Sequence, residues 1–238
     1  KHTGHTAIAG NNMHVLPKGS VSVTSLLKQA GYVTGGAGKW ALGDVGTSGH
    51  PNRQGFDFFY GYLDQSAAHD YYPENLFRND KAERLSGNVN SGQRNVSSQK
   101  VTYAHNRITE EALAFIERNK AKPFYLNLTW TIPHTNNEAG RVEKDGQEVP
   151  DYGIYKNRDW PNPEKGFAAM VTLMDTDMGK VLNLLKELKI EKRTLVVFTS
   201  DNGPHQEGGH KVDFFNSNGK LKGYKRSLHD GGIRVPMV

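Results

Sequence analysis

Apolar and polar positions along the chain fall into three helix-then-strand units. "PKGSVSVTSLLKQAGY" reads as a helix, with Ser20 or Ser22 as N-cap, Leu26 and Leu27 as apolar anchors and Gly31 as the stop. "YVTGGAGKW" follows as a short strand that runs into a Gly-rich turn. A second helix is predicted from about Ser97 to Asn119, because Tyr103, Ile108, Ala112, Phe115 and Ile116 recur at helical spacing. The strand "PFYLNLTWTIPH" comes next. A third helix is predicted from about Pro163 to Lys189, with Met170, Met174, Met178, Val181, Leu185 and Leu188 as its stripe. That periodicity assigns the methionines to a core rather than to a binding surface. "TLVVFTSDNG" then reads as an inner strand. Between Gly43 and about Val96 the pattern is loop-like and rich in aromatics, as in "GFDFFYGYLDQ" and "HDYYPENLFRND". An irregular insertion of that length is usually functional or disordered, and its aromatics argue for order.

Strands alternating with helices predict an α/β fold: a central, mostly parallel sheet flanked by helices and joined by right-handed crossovers. Such sheets bind ligands beyond the carboxyl ends of their strands. The polar residues fall there. The first strand ends at Gly38-Lys39-Trp40, the second at Pro133-His134-Thr135, and the third at Asp201-Asn202. A fourth segment, "LKGYKRSLHDGGIRVP", places Lys225 ahead of a turn at Asp230-Gly231-Gly232. Each group has a plainer reading: a solvated lysine, a capped strand end, an Asp-Asn-Gly turn. Their joint position on one rim is what points to a site.

Composition changes this picture little. Lys and Arg total 30 against 25 Asp and Glu, a formal charge of +5, and the basic residues are scattered. That balance weakly favours an anionic ligand and does not support a nucleic-acid face. The absence of cysteine excludes disulfides and thiolate metal sites within these residues. No run is long and apolar enough to span a membrane. The first residues lack both an initiator Met and the apolar core of a signal peptide. The chain starts and stops in mid-phrase, and so reads as an internal piece of a longer protein.

The chemistry of the rim is more telling. Asp201 and Asn202 offer only oxygen donors, which suit Ca²⁺ or Mg²⁺ rather than Zn²⁺. Two ligands do not complete such a site. Lys39 and Lys225 can hold a tetrahedral oxyanion as point charges, and His134 can give a proton to a leaving oxygen. A hard cation, two lysines and a histidine fit hydrolysis of a sulfate or phosphate ester. A nucleophile is missing.

At this point the chain resembles the type I sulfatases of the alkaline phosphatase superfamily along essentially its whole length. "GYVTGGAGKWALG" is similar to the family's G-Y-x-T-x-x-x-G-K-W-H-L-G segment, and "HPNRQGFDFFYGYLDQ" to its G-F-D-x-F-x-G stretch. "TIPHT" resembles the strand-end Pro-His, "FTSDNGPH" the Asp-Asn-Gly metal segment, and "GYKRSLHDGGIRVPMV" the G-x-K-x-x-x-x-E-G-G-x-R-V-P segment. Five modest matches in the right order are specific together. The opening "KHTGHTAIAGN" fits as well. In the family it follows a Cys/Ser-x-Pro-x-Arg signature whose Cys or Ser becomes formylglycine.

The resemblance implies an alkaline-phosphatase-like fold, incomplete at both ends, with residues 1–238 forming part of one catalytic domain. It implies Asp201 and Asn202 as ligands of a Ca²⁺ (alternatively Mg²⁺), and Lys39 against the nucleophile or the sulfate. Lys225 would bind the sulfate, and His134 would bind it and help the leaving group depart. The formylglycine nucleophile would lie upstream of Lys1, so residues 1–238 alone are expected to turn nothing over and to bind Ca²⁺ weakly. The aromatic insertion sits where family members vary their substrate pockets. His69, Tyr71 and Tyr72 there are candidates for contact with a sulfated small molecule or glycan, or for loop packing. His205 and His210 flank the metal segment and are candidates for substrate contact or for supporting the site from behind, or else for plain exposure to solvent. Family habit implies a periplasmic, secreted or lysosome-like location. Two departures stand out: Ala41 occupies the position of the family's His, and Asp230 that of its Glu. The same metal and lysines would also serve a phosphodiester or phosphonate hydrolase, and Ala41 admits a non-catalytic binding protein on a decayed scaffold.

Overall fold

The computed structural model describes residues 15–238, so the opening "KHTGHTAIAGN" lies outside the described residues. The chain forms two compact units. Among the described residues, one comprises 15–131 with 183–188, the other 132–182 with 189–238.

The first unit opens with helix α1 (Val23–Gln29). Ser22 is its N-cap in a reciprocal capping box with Ser25, and Gly31 beyond its end adopts φ +89°. Leu26 does not anchor it: that side chain is 52% exposed, and the buried residue is Thr24. Strand β1 (Val33–Lys39) is buried over its middle five residues. It is made of Thr, Gly and Ala because large neighbours press on it. A Cβ on Gly35 would lie 2.6 Å from the Phe115 ring.

The insertion is ordered, as its aromatics argue, and carries more strand than its loop-like pattern predicts. It contributes β2 (Phe58–Tyr62), the hairpin β3 (Asn75–Arg78) and β4 (Lys81–Arg84), and a small ribbon of β5 (Val89–Asn90) with β6 (Ser97–Gln99). Helix α2 therefore begins at Ala104, not near Ser97, and ends at Asn119. Its predicted face holds: Ile108, Ala112, Phe115 and Ile116 are all buried. Strand β7 (Phe124–Thr129) closes a five-stranded sheet of order β4-β3-β2-β1-β7. The central β2-β1-β7 pairings are parallel, and the β2-β3 and β3-β4 pairings antiparallel. The sheet is thus mixed, its parallel part lying where Lys39 emerges.

The second unit contains α3 (Asn137–Glu143), most of α4 (Asn162–Glu187), and the short turns α5 (Val212–Phe215) and α6 (Asp230–Ile233). The Asp230-Gly231-Gly232 segment is therefore helical. Met170, Val181 and Leu185 of the α4 stripe are buried. The stretch "TLVVFTSDNG" departs from its reading as an inner strand. Leu195 is 89% exposed, and the run makes one antiparallel bridge, Thr199 to Met237, closed by reciprocal Phe198–Val238 hydrogen bonds of 2.9 and 3.0 Å. A β-branched apolar run becomes a buried strand only where neighbouring strands cover it. Among the described residues the C-terminal stretch is its one strand partner.

Candidate active site

In the first unit, Lys39 ends β1, its register partner being Tyr62 of β2. Its carbonyl accepts a 2.7 Å bond from Thr129 Oγ1. Gly38 just before it has φ +117°, and a Cβ there would lie 2.0 Å from the Thr129 carbonyl oxygen. The close approach of three strand ends fixes the backbone that carries the lysine. Trp40 follows, its indole N–H donating to Gly49 O at 2.8 Å. Ala41 is buried with φ +66°, a left-handed backbone that a bulky residue adopts only under strain.

His69 is half-buried at the end of a 3-10 turn. Tyr71 and Tyr72 are buried, and both pack against Tyr103 at ring separations of 5.6 and 5.2 Å. Their rings belong to the interior of this unit.

In the second unit two of the predicted residues, Lys225 and His134, meet. Lys225 Nζ lies 2.7 Å from His134 Nε2. His134 Nδ1 lies 2.6 Å from its neighbour's carbonyl, Thr135 O. A carbonyl only accepts, so Nδ1 carries the proton and Nε2 presents its lone pair to the ammonium. Lys225 also donates to Glu207 Oε2 at 2.9 Å, and its own backbone N–H bonds Pro204 O at 2.8 Å. Glu207 Oε1 accepts from Arg226 Nε at 2.9 Å and from Arg226 Nη2. Burial alone would raise the Glu207 carboxyl, but the hydrogen bonds and charges of Lys225 and Arg226 hold it down to about 2.

His205, 5% exposed, stands between this pair and the interior. Its Nε2 donates to Pro133 O at 2.8 Å and its Nδ1 accepts the Glu207 N–H at 3.2 Å, which fixes a neutral tautomer. Burial, the largest cause, pushes its pKa down to about 4. His210 stacks flat on Phe167 at 3.8 Å, with Nδ1 bonded to Glu164 Oε2 at 2.5 Å. Glu164 Oε1 takes the Lys211 N–H at 2.9 Å. His205 and His210 thus fix the loop after the Asp-Asn segment from within.

Asp201 is exposed and Asn202 half-buried, in a turn tied down by Gly203 N to Gly232 O at 3.0 Å. Their donors are all oxygen and suit a hard cation, but two are too few. Among the described residues no group of three or more His, Cys, Asp or Glu side chains could hold a metal. Glu207 and Glu164 escaped the sequence reading. Glu207 sat in view inside "PHQEGGH", whereas Glu164 is 46 residues away from His210 in sequence.

The Sulfatase family model matches residues 2–238. The chain is 30% identical to dog N-acetylgalactosamine-6-sulfatase over 94% of its own length and 39% of that protein. It is 38% identical to human steryl-sulfatase over 56% of its length and 20% of that protein. Among solved structures it superposes on Ps i-CgsB with a TM-score of 0.74 at 27% identity, covering 94% of this chain and 48% of that one. The same protein has been solved in complex with k-i-k-neocarrahexaose, with a TM-score of 0.68 to this chain. The chain thus spans about two fifths or less of the curated relatives it matches. With its mixed α/β sheet, its Lys225–His134 pair and a family match along nearly every residue, this chain belongs to the sulfatase family.

Proposed function

We propose that the protein hydrolyses sulfate monoesters, residues 1–238 forming part of one catalytic domain. The observation that carries this reading is the 2.7 Å contact between Lys225 Nζ and His134 Nε2, both within the residues 2–238 that the family model matches. Breaking the ester S–O bond requires charge stabilisation on the sulfate oxygens and a proton for the leaving alcohol oxygen. A hard cation, Ca²⁺ or alternatively Mg²⁺, held in part by Asp201 and Asn202, supplies charge stabilisation when bound, and a formylglycine elsewhere in the protein supplies the nucleophile. Lys225 binds a sulfate oxygen through an N–H not engaged by Glu207 or His134. His134, its ring aimed by Thr135 O, relays one proton from the Lys225 ammonium through Nε2 to the leaving oxygen, and Lys225 regains a proton from solvent. Lys39 is assigned to the nucleophile or the sulfate. His69 lies at a half-buried turn and remains a candidate for leaving-group contact. For Tyr71 and Tyr72, burial supports the packing alternative.

A sulfated glycan is the favoured substrate class. The Ps i-CgsB complex with k-i-k-neocarrahexaose and the N-acetylgalactosamine-6-sulfatase relative support it. In the full-length protein, Lys225→Ala and His134→Ala should each lower kcat/KM for a sulfate ester by roughly 10²-fold or more with the melting temperature retained. Unchanged kcat/KM in both variants would remove these residues from the chemistry.

A further inference from the structure

We propose that Glu207 is a positioning residue that sets where the Lys225 ammonium stands; the inference rests on the sulfatase reading above. A lysine is a point charge on a flexible four-carbon stem, and fixing it costs side-chain entropy. Something must hold it if it is to meet an anion in one geometry. Glu207 Oε2 does so at 2.9 Å, on the same ammonium that reaches His134 Nε2 at 2.7 Å.

Glu207 is itself immobilised on every side. Its N–H goes to His205 Nδ1 at 3.2 Å, and its carbonyl accepts from Gln147 Nε2 at 3.0 Å. The next carbonyl, of Gly208, accepts from Gly146 N at 2.9 Å. Gly208 has φ +60°, and a Cβ there would lie 1.7 Å from Thr135 Oγ1, so the loop presses directly on the residue after His134. Three residues on, Glu164 holds His210 and the Lys211 N–H. An acid on a loose surface loop would pair with a lysine for little gain. Here the Glu207 and Lys225 side chains are each 15% exposed, and the loop backbone is anchored in the interior.

Charge sharpens the role. Glu207 takes Arg226 on its other oxygen, so one carboxylate balances one of two adjacent cations. Its removal makes the locale more positive while releasing the ammonium. An anionic substrate should still bind, but the ammonium should be misplaced as the reaction proceeds. The loss therefore falls on kcat.

The test compares full-length wild type, Glu207→Gln, Lys225→Ala and the double variant, using an aryl sulfate and, separately, the ¹H–¹⁵N signal of the Lys225 ammonium. Glu207→Gln is expected to lower kcat roughly 10- to 100-fold with KM changed less than about threefold, in protein that stays folded at the assay temperature. In the Lys225→Ala background it should cost less than about threefold more. The ammonium should be restrained in wild type and mobile in Glu207→Gln. Equal losses in both backgrounds, a loss confined to KM, or an ammonium equally mobile in wild type would overturn the proposal. If wild type turns over no sulfate ester, the sulfatase reading falls, and the ammonium signal alone still decides whether Glu207 positions Lys225.

Discussion

His205 is the residue at which the chemistry of the second unit becomes a measurable stability. Its two ring nitrogens are both engaged in a neutral tautomer, and burial lowers its pKa from 6.5 to about 4. Between those values the unfolded chain binds a proton that the folded chain refuses. Stability is therefore fully present above about pH 6.5 and falls as the pH drops toward 4, by at most roughly 3 kcal/mol. Glu207, held down to about 2 from 4.5, adds a second loss at lower pH, from about 4.5 downward. Denaturant unfolding from pH 7 to pH 4.5 should show this slope, and His205→Gln should flatten it, although that variant is less stable at pH 7. A wild-type slope indistinguishable from that of the variant would mean that His205 titrates as if exposed. The candidate residues of the two units were partly legible in the sequence. Lys39, His134, Asp201 and Lys225 were visible because each follows an apolar run or sits in a Gly-rich turn. Glu164 was not, because its partner lies far along the chain and the bond between them is made in three dimensions.

At the scale of elements, β1 was legible and β2 was not. "VTGGAGK" is short, small and flanked by turns, whereas "FFYGY" sits in a run that carries apolar residues at consecutive positions with no period-2 signal. Strand β2 is buried along nearly its whole length, so alternation had no reason to appear. The exposed run at Leu195 erred in the other direction, since sequence gives the apolar character of a strand but not the neighbour that must cover it. The tight end of β1 carries its own test. Gly38→Ala would drive a Cβ to 2.0 Å from the Thr129 carbonyl at a φ of +117°. A loss of more than about 2 kcal/mol is expected in chemical denaturation. A loss under about 0.5 kcal/mol would show that the three strand ends do not approach as closely as described.

For the whole molecule, the family and its fold were readable because five motifs recur in order across 238 residues. The substrate was not, since selection among sulfate esters lies in surfaces that no motif encodes. The Lys225–Glu207–His134 arrangement would serve any tetrahedral oxyanion, so the choice of sulfate over phosphate is the point most worth measuring. The direct measurement is kcat/KM of the full-length protein for an aryl sulfate and for the matching aryl phosphodiester, side by side. A preference for the sulfate of roughly 10²-fold or more, with sulfate hydrolysis lowered by Lys225→Ala, is the expected result. A phosphodiester preferred by the same margin, or hydrolysis of neither ester, would contradict the assignment of this chain's lysine and histidine to sulfate-ester hydrolysis.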